Sequence, residues 1–257
     1  EEKLPGISET AKIFSGVDVS MDPIPVLPTV HYNMGGIPTN INTEVIRLNK
    51  SGNEEVVKGL MAIGETACVS VHGANRLGSN SLLDLIVFGR AAANRCVQII
   101  KKNKKNKKNN KYTLESILSR FDFFRHSKGD IPTSELRKDM QKTMQNHCSV
   151  FRTKNLLNEG KIKLNKCYKS KSNISVKDKS LIWNTDLVET LEFDNLLAQS
   201  LVAINSALYR EESRGAHSRQ DFPKRDDKKW MKHSMATLDL NGNTKIAYKP
   251  VILKPLT

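Results

Sequence analysis

The sequence predicts an α/β segment, then an all-α segment and a small C-terminal β-hairpin region. Three observations predict this order: short apolar stretches that end in glycine turns before residue 100, long helical stripes of apolar residues after residue 132, and alternating polarity around Asn241-Gly242-Asn243. With 257 residues, the chain is long enough for one large domain or two modest ones.

The formal net charge is +14, and it is concentrated in one place. Residues 101–111 read KKNKKNKKNNK, and their seven lysines account for half of the excess. Because the tract has neither an apolar face nor aromatic residues on which bases could stack, we expect a solvated loop and no nucleic-acid partner. A basic binding protein that acts through this tract is the less favoured alternative.

Two classes of protein are excluded by composition. No window approaches the roughly 20 consecutive apolar residues of a membrane span. Cys68, Cys96, Cys148 and Cys167 are too widely spaced for a disulfide framework or a structural zinc site, and no metal site is expected.

The first elements are a short helix over residues 5–14, which ends before Gly16, and a strand-like stretch over residues 17–19. Three prolines within residues 23–28 then predict an extended connector that cannot lie inside a sheet.

A glycine pair follows His31 in the motif HYNMGG, residues 31–36. Without Cβ atoms the backbone can approach a flat ligand closely, although the pair taken alone favours a turn with a surface histidine. An apolar strand then leads to Gly64 and Glu65, where a carboxylate at a strand end can accept hydrogen bonds from a ribose.

The segment VHGANRLGSNSLL, residues 71–83, leads into a helix that runs toward Ile100. Residues 79–81 are capping types, and Leu82, Leu85, Ile86 and Gly89 share one face of this helix. Its N-terminal N–H groups favour an anion or an electron-rich carbonyl, and an ordinary buried helix is the alternative.

Two apolar stripes predict long helices in the second half of the chain. One comprises Leu136, Met140, Met144, Cys148 and Phe151, and the other Leu187, Leu191, Leu197, Leu201, Ile204 and Leu208. Trp183 is expected to be a buried anchor beside them. A β-hairpin is predicted from residues 236–240 and 244–248.

Five segments, in this order, resemble the flavoprotein subunit of succinate dehydrogenase, respiratory complex II. They are residues 4–14, 16–40, 64–90, 183–197 and 212–222, and the similarity covers nearly the whole chain apart from about residues 97–131. Fumarate reductase and L-aspartate oxidase share the HY..GG and HGANR elements. The stretch IPVLPTVHYNMGGIPTN together with WNTDLVETLE resembles the succinate dehydrogenase branch more closely.

The resemblance implies that this chain is the second part of a flavin-binding α/β domain followed by a helical domain. The implied boundaries are the end of a capping domain at 1–14, the C-terminal segment of the FAD-binding domain at 15–100, a Lys/Asn-rich loop insert at 101–131, the helical domain at 132–212 and a C-terminal domain at 213–257. A glycine-rich dinucleotide motif, the histidine that attaches FAD covalently and an arginine proton shuttle are expected upstream of Glu1.

By the same resemblance, His31 and Arg76 match positions that bind the substrate dicarboxylate. Glu65, Ser81 and Leu82 match FAD contacts, and Arg214 and His217 are expected to support the site without catalysing. An arginine fork suits a carboxylate because it can donate two parallel hydrogen bonds. No catalytic residue is assigned within this chain.

The implied function is oxidation of succinate to fumarate with hydride transfer to FAD, a step of the tricarboxylic acid cycle and of respiratory electron transport. Electrons would pass to an iron–sulfur subunit and ubiquinone, with membrane anchor subunits as indirect partners. The implied location is the matrix side of the mitochondrial inner membrane, or the cytoplasmic face of a bacterial inner membrane. A fumarate reductase flavoprotein and a non-catalytic fragment with a basic loop are the alternatives, and the chain is expected to be inactive alone.

Overall fold

A computed structural model describes residues 4–26, 29–102 and 111–254, which divide between two compact units, Glu1–Asn33 and Met34–Thr257. In the first unit, helix α1 (Pro5–Ser15) begins with a proline and ends at Gly16, which is left-handed with φ 65°. The predicted strand at residues 17–19 is wrong, because the side chain of Asp18 accepts hydrogen bonds from the N–H and hydroxyl of Ser20 and makes a turn.

The second unit begins with short strands. The parallel pair is β1 (Ile37–Pro38) with β4 (Ala67–Cys68), and the antiparallel pair is β2 (Glu44–Leu48) with β3 (Glu54–Met61). A single 3-10 turn, Gly64–Thr66, lies between β3 and β4.

Helix α2 (Asn80–Lys102) follows and is attached to the hairpin by an ion pair. Arg95 donates from Nε and Nη2 to the carboxylate of Glu44, at 3.0 and 2.9 Å. A hydrogen bond from Asn40, with a further contribution from Arg95, holds the pKa of Glu44 below its ordinary value. This charge-assisted contact links the far end of α2 to the first strands.

The expected buried face of α2 differs from the observed one. Leu82 and Ile86 are each 68 % exposed, and the buried side chain on this part of the helix is Asp84. Leu82 and Ile86 are therefore largely uncovered by the described residues, whereas Leu85 on the same face packs against the turn at Gly64.

Helix α3 (Lys111–Arg125) occupies part of the segment expected to be a loop insert. Its Phe124 is buried and joins the helical core. Residues 103–110 of the Lys/Asn tract lie outside the described residues.

Three long helices form the core of the second half: α4 (Thr133–His147), α5 (Lys154–Ser170) and α6 (Thr185–Tyr209). Two short parallel strands, β5 (Ile131–Pro132) and β6 (Ile174–Ser175), flank them. Both predicted stripes are confirmed as contributors to this core, with the exception of Phe151, which is exposed. The sequence analysis missed α5.

The expectation for Trp183 is also wrong, since it is 95 % exposed and has a left-handed φ of 52°. Its neighbour Asn184 is the buried residue, and the Asn184 side chain caps α6 by accepting from the N–H of Leu187 at 2.8 Å.

The C-terminal region contains a short helix α7 (Asp227–Trp230) and an antiparallel hairpin of β7 (Lys232–Leu238) and β8 (Thr244–Pro250). The hairpin prediction is confirmed. Asp239 holds its turn by accepting from the N–H groups of Asn241 and Asn243. Among the described helices, none combines the length and the apolar character that a membrane crossing requires.

Candidate active site

His31 is exposed and lies near the end of the first unit. The two glycines after it belong to the second unit and have left-handed φ angles of 103° and 119°. A Cβ on Gly36 would stand 2.6 Å from the carbonyl oxygen of Thr66, whereas one on Gly35 would have open space around it. Glycine is therefore required at position 36 because the backbone of Thr66 lies so close to it. At position 35 there is open space where a side chain would stand.

Glu65 lies in the 3-10 turn that follows β3, with its side chain exposed. The turn is fixed against α2, because Gly64 has a φ of 67° and a Cβ at this position would collide with the side chain of Leu85. The close packing brings the predicted Glu65 to the same end of α2 as Ser81 and Leu82.

Ser81 and Leu82 are in the first turn of α2, where N–H groups point out of the helix without intrahelical partners. The side chain of Leu82 is largely exposed, and so is that of Leu83. Apolar side chains beside helix N–H donors fit FAD, because a flavin ring has an apolar edge and a polar, electron-rich edge. The residues present thus match the cofactor.

Arg76 is half-buried in the segment of residues 70–79, which we call the arginine loop. Its Nη1 donates to the carbonyl of Leu77 at 3.1 Å. The loop has left-handed φ angles at Ser70, Gly73 and Ser79, so its course is tightly defined. Ser79, expected to cap α2, precedes the helix with a φ of 65°.

The sequence analysis missed a pair at the start of this loop. His72 Nε2 lies 3.0 Å from Oδ2 of Asp84, and the Asp84 side chain is almost completely buried. The signal that could have found it is an aspartate within the apolar run SLLDLIV of a helix, since a buried carboxylate needs a partner.

Arg214 belongs to a buried ionic cluster centred on Glu212, which is 0 % exposed. Arg214 donates to both carboxylate oxygens of Glu212, at 2.7 and 3.0 Å, and also to Asp227 at 2.7 Å. Burial alone would raise the pKa of Glu212, but hydrogen bonds from Arg214, the N–H of Asp226 and Arg210 lower it overall. The Arg214 guanidinium is therefore engaged in holding its own segment.

His217 bridges two elements. Its Nδ1 lies 2.8 Å from Nη1 of Arg152, and its Nε2 lies 3.1 Å from the carbonyl oxygen of Arg210. Burial, together with the charges of Arg152, Arg219 and Arg210, lowers the pKa of His217 to about 4. The imidazole is therefore neutral at pH 7, with Nε2–H as donor and Nδ1 as acceptor, and it has no nitrogen left for proton transfer.

This segment contacts the arginine loop directly. The N–H of Ala216 donates to the carbonyl of Ala74 at 3.1 Å. A Cβ on Gly215 would overlap the Ala74 carbonyl group and lie 2.8 Å from the Ala74 Cβ, so only glycine fits. Within the second unit the structure thus brings Glu65, Arg76, Ser81 and Leu82 to one region and places the Arg214–His217 segment against it.

Comparison with known proteins identifies the family to which the sequence is similar. Residues 1–82 match the family described as FAD binding domain, and residues 137–257 match Fumarate reductase flavoprotein C-term. The succinate dehydrogenase flavoprotein subunit of Rickettsia bellii is 58 % identical over 255 residues, which are 99 % of this chain and 43 % of that protein. The chain belongs to the succinate dehydrogenase flavoprotein family.

Other members of this family differ in their similarity to the chain. The mitochondrial succinate dehydrogenase flavoprotein subunit of Oryza sativa is 52 % identical over 100 % of this chain and 40 % of its own length. The fumarate reductase flavoprotein subunit of Haemophilus influenzae is 36 % identical over 97 % of this chain and 40 % of its own length. Succinate dehydrogenases are thus the more similar branch, and FAD is the cofactor.

A solved structure of Escherichia coli quinol fumarate reductase superimposes with a TM-score of 0.85 at 35 % identity, covering 100 % of this chain and 43 % of the other. The chain therefore spans about two fifths of the length of the relatives that it matches.

Proposed function

We propose that this chain is part of a flavoprotein that oxidises succinate to fumarate, and that it supplies substrate-binding and FAD-binding groups. The observation that supports this most directly is the position of Arg76. It lies on an anchored loop immediately before α2, the helix whose first turn presents N–H donors and exposed apolar side chains.

Succinate is a dianion, so its site must neutralise two carboxylates. Arg76 would hold one carboxylate through its planar fork of donors, a geometry that lysine does not reproduce. His31 would donate to the other carboxylate. Donors fixed before the substrate arrives favour the reactive conformation because little reorganisation is needed during the reaction.

FAD, when bound, supplies the acceptor for the hydride that succinate loses. Glu65 would accept hydrogen bonds from the cofactor's ribose, and Ser81 and Leu82 would contact the flavin at the start of α2. The one proton that succinate loses besides the hydride has no acceptor among the residues assigned here. His217 is unsuited because both of its nitrogens are engaged.

The domain boundaries given by the resemblance, covalent attachment of FAD outside this chain and inactivity of the chain alone are parts of the proposal. Onward electron transfer would use an iron–sulfur subunit and ubiquinone, with the protein held peripherally at the inner membrane, on its matrix side, by partner subunits. Nucleic acid is not a proposed partner.

The test uses the full-length, FAD-loaded flavoprotein that contains this segment. We expect Arg76→Ala to lower kcat/KM for succinate-dependent dye reduction by about a hundredfold or more, because a charge-assisted carboxylate contact is lost. Arg76→Lys should recover only part of the loss. Arg47→Ala is the matched control, since Arg47 is an exposed arginine paired with Glu55 on the β2–β3 hairpin. Equal rates for the Arg76 variants and the control would contradict the proposal.

A further inference from the structure

The arginine loop has a first anchor at its beginning. An ionised aspartate can only accept hydrogen bonds, so the 3.0 Å contact between His72 and Asp84 is a donation from Nε2–H to the carboxylate. Asp84 is 6 % exposed and lies in the second turn of α2. The rigid helix thereby fixes a residue four positions before Arg76.

A second anchor holds the middle of the loop. The carbonyl of Ala74 accepts from the N–H of Ala216 at 3.1 Å, and Gly215 lies so close that no side chain could stand there. The Gly215–Ala216 peptide is itself fixed, because Glu212 and His217 on either side of it are held by arginines.

The backbone of the loop shows why two anchors are needed. Ser70 and Ser79 have left-handed φ angles of 79° and 65°, which are unfavourable for residues with a Cβ. Such conformations persist where surrounding contacts define them, and they are concentrated at binding and catalytic sites. The anchors lie between these two serines.

We propose that His72 and Asp84 are positioning residues for Arg76, and that they act together with the Gly215–Ala216 peptide to set where the guanidinium meets a dicarboxylate. This deepens the proposed function and rests on it. Neither His72 nor Asp84 needs to touch the substrate. Their effect is transmitted because Arg76 lies four residues from His72 and two residues from Ala74, and a displacement of about 1 Å is costly in a preorganised site.

Dicarboxylate affinity gives a direct test, with the full-length FAD-loaded flavoprotein and malonate, a dicarboxylate that cannot be oxidised to an alkene. We expect His72→Leu to raise the malonate dissociation constant, measured by calorimetry, about tenfold. His72→Gln, whose amide N–H can replace Nε2–H, should stay within about threefold of the wild type. We expect the melting temperature and FAD content of His72→Leu and His72→Gln to be equal. If His72 had a purely structural role, two equally stable variants would bind malonate equally well.

Two further variants distinguish the loss of an anchor from a general loss of stability. Gly215→Ala tests the second anchor and should also weaken malonate binding, because its Cβ would displace Ala74. Asp239→Asn is the control, since this carboxylate also accepts several hydrogen bonds but belongs to the β7–β8 turn. It should leave the malonate dissociation constant unchanged.

A double-mutant cycle shows whether the effect passes through Arg76. In an Arg76→Ala background, His72→Leu should cause no further loss of malonate affinity. The inference is overturned if His72→Leu alone leaves affinity within about twofold of the wild type, or if its effect is equally large without Arg76. If Arg76→Ala itself does not weaken malonate binding, the proposed function fails instead, so the two failures are distinguishable.

Discussion

At the scale of single residues, His217 is held in a state that acid should disrupt. Its pKa is lowered from 6.5 to about 4 by burial and by three neighbouring arginines. Because the folded segment favours the neutral imidazole, its contribution to stability is full above pH 6.5 and is lost as the pH falls toward 4.

We therefore expect the segment around His217 to loosen on mild acidification. Hydrogen exchange of a peptide covering residues 210–222 in the full-length flavoprotein, corrected for intrinsic rates, should show protection falling about tenfold between pH 7 and pH 5. His217→Gln should remove most of this dependence. The control peptide covers residues 190–203 in α6, where the pKa of Asp194 is already lowered below its ordinary 3.8. Protection that rises on acidification would contradict the assignment.

The sequence predicts the conformation of a residue where that conformation depends on the residue type and its neighbours in the chain. It fails where the conformation depends on a contact with a residue far away in the sequence. The glycine turn that ends the apolar stretch at Gly64 is readable from the local sequence. The pairing of His72 with Asp84, and of Gly215 with Ala74, depends on contacts between segments that the sequence does not bring together. Trp183 was predicted to be buried, but its side chain is exposed. Its backbone is left-handed immediately before the residue that caps α6.

At the scale of elements, the close packing of α4, α5 and α6 depends on Gly160, because glycine has no side chain at the point where the helices meet. A Cβ on Gly160 of α5 would stand 2.5 Å from the Cβ of His147 and 2.6 Å from Cδ1 of Ile204. The helices therefore approach one another more closely at this point than any other residue would permit.

Gly160→Ala should destabilise the protein although alanine is the better helix former. The gain in helix propensity is at most about 1 kcal/mol, whereas overpacking typically costs about 1–3 kcal/mol. Gly89→Ala in α2 is the matched control, because its Cβ would meet Ile63 Cδ1 at an ordinary 3.7 Å. Thermal unfolding of both variants should show a lower Tm for Gly160→Ala alone. An unchanged or higher Tm for Gly160→Ala would mean that the helices separate without cost.

Element prediction followed the strength of the periodic signal. The apolar stripe from Leu187 to Leu208 is long and regular, so it correctly predicted α6. Helix α5 was missed because its five lysines interrupt the apolar spacing, and only Leu157, Gly160, Leu164 and Cys167 are buried. For α2, the sequence correctly predicted the helix but wrongly predicted that Leu82 and Ile86 are buried. Their spacing indicates an apolar face and does not identify what covers that face.

At the scale of the whole molecule, the uneven charge raises the question of whether the lysine tract influences the proposed site. The tract starts at Lys101, at the end of α2, while Arg76 and Ser81 lie at its beginning. At about 1.5 Å per residue, the stretch of α2 from Ser81 to Lys101 separates the two by about 30 Å. The screening length at physiological salt is about 8 Å, so little of the potential of Lys101 reaches the first turn of α2.

Replacing the seven lysines of residues 101–111 with glutamine should therefore leave catalysis unchanged while lowering the formal net charge of this chain from +14 to +7. In the full-length flavoprotein at about 0.15 M salt, we expect kcat/KM for succinate to stay within about twofold of the wild type. At about 0.01 M salt the screening length grows to about 30 Å, and a modest decrease in the association rate of the dianion should become measurable. A large loss at physiological salt would show that the tract contacts the site or a partner directly, because simple electrostatic attraction cannot act over that distance.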